Sequence, residues 1–124
     1  MKCYSESTMS KWWRLAVLEV CGNRCAVCGK AGQLECHHVV RRRKLLTRWD
    51  WRNGIALCVE CHRKLHDGSL AVRHEVMLKV SHEHLDAMTR WISADYFTAN
   101  GITMAEWYSR QMEENKHMAM GVRV

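Results

Sequence analysis

Four of the seven cysteines stand in two pairs, Cys25-x-x-Cys28 and Cys58-x-x-Cys61. A CxxC turn presents two thiolates at one vertex, and two such turns close the tetrahedral shell that Zn²⁺ prefers. The spacing therefore predicts a four-thiolate structural zinc. The segment between the pairs is longer than in a simple zinc ribbon, so it must hold structure of its own. Residues 1–7 lack the apolar core of a secretory signal, which makes a reducing cytoplasm the expected setting, and disulfides are disfavoured there. A thioredoxin-like redox pair would need one CxxC opening a helix in a βαβ unit, and this chain has two pairs and no such unit. Cys3, Cys21 and Cys36 are left as buried or idle thiols.

The histidines gather around the same pairs. His37 and His38 lie between them, and His62 and His66 follow the second. On a helix, residues four apart leave the same face, a spacing that suits two ligands of one divalent metal. A second metal centre beside a basic segment suggests phosphodiester hydrolysis. That reaction needs a base for the attacking water, a cation near the phosphate and stabilisation of the leaving 3′ oxygen. Neutral histidine suits the first role near pH 7, and of two adjacent histidines one can hold metal while the next acts on water. Neighbouring side chains of a strand point to opposite faces, so this pair is expected where a strand ends or bulges. His74, His82, His84 and His117 lack a partner pattern and read as surface residues.

The net charge is +6 over 124 residues, and its distribution is uneven. Residues 41–68 carry eight Lys/Arg against three Asp/Glu, whereas residues 69–124 carry six against seven. Arg41, Arg42, Arg43, Lys44, Arg48, Arg52, Arg63 and Lys64 create a local field that attracts polyanions, above all nucleic acid. The length excludes a two-domain cofactor enzyme, and 48% hydrophobic residues argue against a disordered chain. No run of ~18 apolar residues exists to cross a bilayer.

These residues must be positioned by local elements. Residues 1–9 read as a loose tail, with Ser10 capping an apolar-periodic helix over 11–20 that Gly22-Asn23 ends. Residues 33–40 read as a strand, 41–53 as a basic loop with Trp49 and Trp51, and 54–57 as a second strand. A helix is expected over 59–66, ended by Asp67-Gly68. Residues 70–80 are ambiguous between helix and strand. Ser81 opens a further helix through about 97, and Asn100-Gly101 breaks it. Thr103-x-x-Glu106 is a capping box for a last helix carrying Met104, Trp107, Tyr108 and Met112.

The segment 25–68, with CAVC, LECHHVV and NGIALCVECHRKLHDG, resembles the HNH endonucleases of the ββα-metal group in their zinc-knuckle form, found in bacteria and phages. That family's pattern is CxxC, a His-His or Asp-His closing the first strand, Asn in the loop, then CxxCHxxxH. Fourteen residues separate His38 from Asn53 and eight separate Asn53 from His62, both in keeping with the family. The resemblance implies that His38 is the general base, and that His37, His62 and His66 hold the catalytic cation. Asn53 would brace the loop and orient His38 or, in some members, contact the metal. Cys25, Cys28, Cys58 and Cys61 would hold structural zinc. Arg41, Arg42, Arg43, Lys44, Arg48 and Arg52 would contact phosphates, while Trp49 and Trp51 are expected to pack under the loop rather than stack on unpaired bases.

The reading is then an α+β protein with a small ββα-metal, treble-clef-like, zinc-stabilised core over 21–68. An N-terminal helix and a C-terminal helical extension over 69–124 flank it within a single domain. The expected activity is metal-dependent cleavage of DNA. Structural Zn²⁺ is joined by a divalent cation, for which Mg²⁺ is the physiological guess, although three imidazoles suit Mn²⁺, Ni²⁺ or Zn²⁺ better. The C-terminal helices would pack on the core, form a homodimer interface or dock on a larger phage or recombination machine. The rival is a non-catalytic zinc module that binds nucleic acid or protein, which would need neither His38 nor Asn53.

Overall fold

The computed structural model describes residues 4–80 and 100–121, so the helix expected over 81–97 lies outside the described residues. The first helix, α1, spans Glu6–Val20 and begins before the Ser10 cap that the sequence pattern suggests. Ser5 caps it instead, its hydroxyl accepting the Thr8 N–H at 3.2 Å, and the extra turn brings Met9 into one buried stripe with Trp13, Ala16 and Val17. Left-handed Gly22 and Asn23 end it, the Asn23 N–H donating back to the Leu18 carbonyl.

Strands β1, Leu34–His38, and β2, Gly54–Cys58, pair antiparallel from Leu34↔Cys58 to His38↔Gly54. β1 is shorter than the expected 33–40 because Val39 and Val40 turn their N–H groups to the Asn53 carbonyl and side chain. β2 is buried on both faces, as alternation along a pleated strand requires when each side carries a layer. Ile55 and Leu57 join Cys25, Cys58, Cys61, Val72 and Val76 on one side, while Ala56 joins Met9, Trp13, Val17, Trp49 and Met112 on the other.

Helix α2, Val59–His66, follows β2 without a loop, capped by the Cys58 sulfur accepting the Cys61 N–H. The ambiguous segment is a helix, α3, Leu70–Lys79; Ser69 caps it, and Val72 and Val76 reach the thiol-side core. The last helix, α4, spans Met104–Ala119 and starts at Thr103 as the capping box suggests. α4 packs along α1, so both flanking helices cover the Ala56 face of the sheet. Of the C-terminal part, α4 contributes Met112 to the core cluster on this face. No described helix is long and apolar enough to cross a membrane.

The tightest junction is at Gly54. A Cβ there would lie 2.3 Å from Val17 Cγ2 and 2.8 Å from Trp13 Cζ2. Gly54→Ala is expected to destabilise the protein by about 1–3 kcal/mol, the usual range for overpacking a filled core. Denaturant unfolding measures it; an unchanged midpoint would show that α1 does not press on the sheet.

Candidate functional site

The first knuckle is a tight turn, in which the Gly29 N–H returns to the Cys25 carbonyl at 2.9 Å with Gly29 at φ +76°. The Ala26 N–H donates to the Ala56 carbonyl, which fixes this turn against β2. Cys58 and Cys61 come from the β2–α2 junction, and the four sulfurs lie within 4.8 Å of one another. Cys28 Sγ and Cys58 Sγ are 3.7 Å apart. That matches the edge of a tetrahedron with metal–sulfur bonds of about 2.3 Å. Burial pushes the Cys25 thiol up, but N–H groups of Cys28, Cys58 and Val27 outweigh it and bring it down to about 6. Burial and the neighbouring sulfurs push Cys61 up. One thiolate forms readily and resists the next, which is the electrostatic situation a dication resolves. Cys21 and Cys36 stand apart: Cys21 accepts the Ala56 N–H, Cys36 faces the Arg14 carbonyl, and burial raises both thiols, Cys36 to about 11.

A second group gathers on the outer side of β1 and α2. His62 Nε2 lies 3.3 Å from His37 Nδ1 and 3.0 Å from His66 Nε2. Ligand nitrogens at about 2.0–2.1 Å from one metal stand about this far apart. Glu35, two residues before His37 on the same strand face, sits 3.3 Å from His62 Nδ1. A proton on that nitrogen, held by the carboxylate, leaves Nε2 with a bare lone pair pointed at two other ring nitrogens. Burial, with the imidazoles of His62, His66 and His38 beside it, pulls His37 down to about 4, so it is neutral near pH 7. Nothing in the motif spacing marks Glu35; its signal is the i, i+2 relation to His37 on a strand.

His38 is the last residue of β1 and faces the opposite way. Its ring stacks on Trp13 with centroids 3.9 Å apart and planes 9° apart, and Trp49 meets its edge at 6.1 Å. The Arg48 carbonyl, 2.9 Å from Nε2, can only accept, so Nε2 carries the proton and Nδ1 of the neutral ring is the free lone pair. Burial lowers this imidazole below its ordinary value, the Arg48 carbonyl raises it, and the Arg42 charge lowers it further. Asn53 is fully buried: its Nδ2 donates to the carbonyls of Val40 and Thr47, and its Oδ1 accepts the Val40 N–H. These bonds hold the loop that carries Arg48, and they leave the amide no free face for a metal.

The basic loop divides in two. Arg41, Arg43 and Lys44 are exposed, with no ion pair among the described residues. Arg48 is paired with Glu6, and Arg42 lies 3.7 Å from the same carboxylate. Arg52 is paired with Asp50 and Glu114. Trp49 is buried and Trp51 donates its indole N–H to Glu114, so both pack, as expected. One face of α4 braces this loop: Trp107 and Gln111 donate to the Leu46 carbonyl and Asn115 to that of Trp49. His74 and His117 are exposed, and His82 and His84 lie outside the described residues.

Residues 19–68 match the family model of the HNH endonuclease. The matched segment holds a two-stranded sheet, a following helix and two clusters that could hold metal, consistent with the small ββα-metal fold. No curated protein and no solved structure matches the chain.

Two substitutions separate the clusters. Cys58→Ser is expected to release zinc and unfold the core, since structural zinc contributes on the order of 10 kcal/mol of binding free energy to folding. Glu35→Gln should leave that zinc and the fold intact and weaken a second cation by about 10–100-fold, the usual cost of removing a carboxylate behind a ligand histidine. Metal titration with circular dichroism reads both. A folded, metal-free Cys58→Ser protein, or unchanged cation affinity in Glu35→Gln, would contradict the assignment.

Proposed function

We propose that this protein is a metal-dependent endonuclease that hydrolyses DNA phosphodiester bonds. His38 is its general base, and His37, His62 and His66 hold the catalytic cation. The observation that carries this reading is the split at the end of β1. Three ring nitrogens converge from one face, while the next residue has Nε2 tied to a carbonyl and Nδ1 bare. The three-imidazole set favours Mn²⁺, Ni²⁺ or Zn²⁺ over Mg²⁺. When bound, the cation supplies charge stabilisation for the phosphate and the departing 3′ oxygen.

His38 Nδ1 takes the proton of the attacking water, and the Nε2–H stays bonded to Arg48, so the ring need not turn as it gains charge. Asn53 keeps the backbone of 40–47 in place, and with it the carbonyl that orients the base. Arg41, Arg43 and Lys44 meet phosphates from the exposed part of the loop. Arg48 and Arg52, engaged with acidic side chains, contribute mainly by shaping that loop.

Nicking of supercoiled plasmid against metal concentration tests the roles. His38→Ala should keep its cation affinity while cleavage falls ~10²–10⁴-fold. His62→Ala should lose affinity and activity together, with partial recovery in excess metal. Cleavage by His38→Ala at the wild-type rate would remove it as the base. A wild type inactive on duplex, branched and single-stranded DNA with each of these metals would favour the non-catalytic zinc module.

The phosphate track has its own readout. Replacing Arg41, Arg43 and Lys44 by Ala should make the slope of log K against log salt on duplex DNA shallower, by about 0.9 for each phosphate that is no longer neutralised. An unchanged slope would put the DNA surface elsewhere.

A further inference from the structure

We infer that Trp13, on α1 and outside the segment matched by the family model, is a positioning residue for His38, holding its ring face-on in the orientation that proton transfer requires. The inference rests on His38 acting as the base. Its ground is a chain of contacts that fixes the indole before it fixes the imidazole. Trp13 is 2% exposed, donates its Nε1–H to the Asp50 carbonyl at 2.8 Å and meets Trp49 edge-on at 6.3 Å. It also lies over Gly54, the register partner of His38, where a Cβ would come within 2.8 Å of the indole. The residue opposite His38 thus has no side chain, and the indole fills that space with its face against the imidazole, 3.9 Å away and 9° from parallel.

Two restraints then act on His38. The Arg48 carbonyl fixes the direction of Nε2, and the indole plane fixes the ring's rotation about that bond. Both hydrogen-bond acceptors, Arg48 and Asp50, belong to the loop that Asn53 and α4 hold in place. A restraint on the orientation of the base acts on the chemical step more than on binding.

The test uses the full zinc-loaded chain and compares Trp13→Phe with Trp13→Leu. Both remove the indole N–H and leave a smaller apolar side chain, but Phe retains an aromatic face. Trp13→Leu should lower kcat roughly 10–100-fold, the scale of a misplaced catalytic group, with KM for plasmid and affinity for added Mn²⁺ unchanged, and Trp13→Phe should recover most of the loss. By NMR, the His38 ring protons of the wild type should be shifted upfield from those of exposed His74, and Trp13→Leu should abolish the shift. Equal losses in both variants would assign Trp13 to packing and overturn the inference. So would wild-type cleavage by Trp13→Leu when His38→Ala is inactive. Should Trp13→Leu fail to fold, the wild-type spectrum decides: His38 ring protons that coincide with those of His74 contradict the stack. Full activity of His38→Ala would sink the base assignment itself, a result distinct from either.

Discussion

Four cysteine sulfurs brought to one point from two distant turns are the constraint on which the other contacts depend. The first turn is tied to β2 through Ala26 and Ala56, and the second sits where β2 becomes α2. Cys58 has two jobs there, as a member of the thiol cluster and as the cap of α2. Holding Cys58 and Cys61 therefore sets where α2 begins and which way its first turn faces. His62 follows Cys61 directly and His66 is one turn on, so the same constraint aims both imidazoles at His37 across the sheet.

The sheet divides two kinds of chemistry. On the side of the thiols and α2, three ring nitrogens, one of them backed by the Glu35 carboxylate, form a set that could hold a dication. On the other, a single imidazole is framed by indoles and a carbonyl, with no ion pair of its own among the described residues. Two adjacent residues at the end of β1 reach both environments because the strand stays regular to its last pair, His38↔Gly54. Trp13 comes from α1, largely outside the family segment, whereas Trp49 and the Arg48 carbonyl belong to the loop that α4, wholly outside it, braces. The flanking helices thus supply one wall beside His38 and a brace for its loop, as well as the apolar cover of the core.

What is legible in the sequence is whatever repeats at short range. The CxxC pairs, the His62-x-x-x-His66 spacing, β2, α2 and the capping box at Thr103 all carry their signal within a few residues. Contacts between distant segments carry no such signal. Ser5 is hidden as a cap because Glu6, Ser7 and Thr8 break the apolar period, although Met9 continues it into Trp13 and Val17. Arg48 and Arg52 read as free positive charge; Glu6 and Glu114, which pair with them, lie 42 and 62 residues away, and only Asp50, a second partner of Arg52, is near in sequence. The polar residues of α4 that grip the loop have the pattern of a solvated helix face, and only the fold brings the carbonyls of Leu46 and Trp49 opposite them.

The central claim is that the thiolate site maintains the fold while the histidine site serves cleavage. It is tested most directly by removing metal in two stages from the wild-type protein, with zinc content, circular dichroism and plasmid nicking followed together. Depletion to one zinc per chain should abolish nicking with the spectrum unchanged, and Mn²⁺ or Ni²⁺ alone should restore it; the second stage should take the last zinc and the fold together. Undiminished nicking by the folded one-zinc protein, in buffer stripped of other divalent metal, would contradict the account.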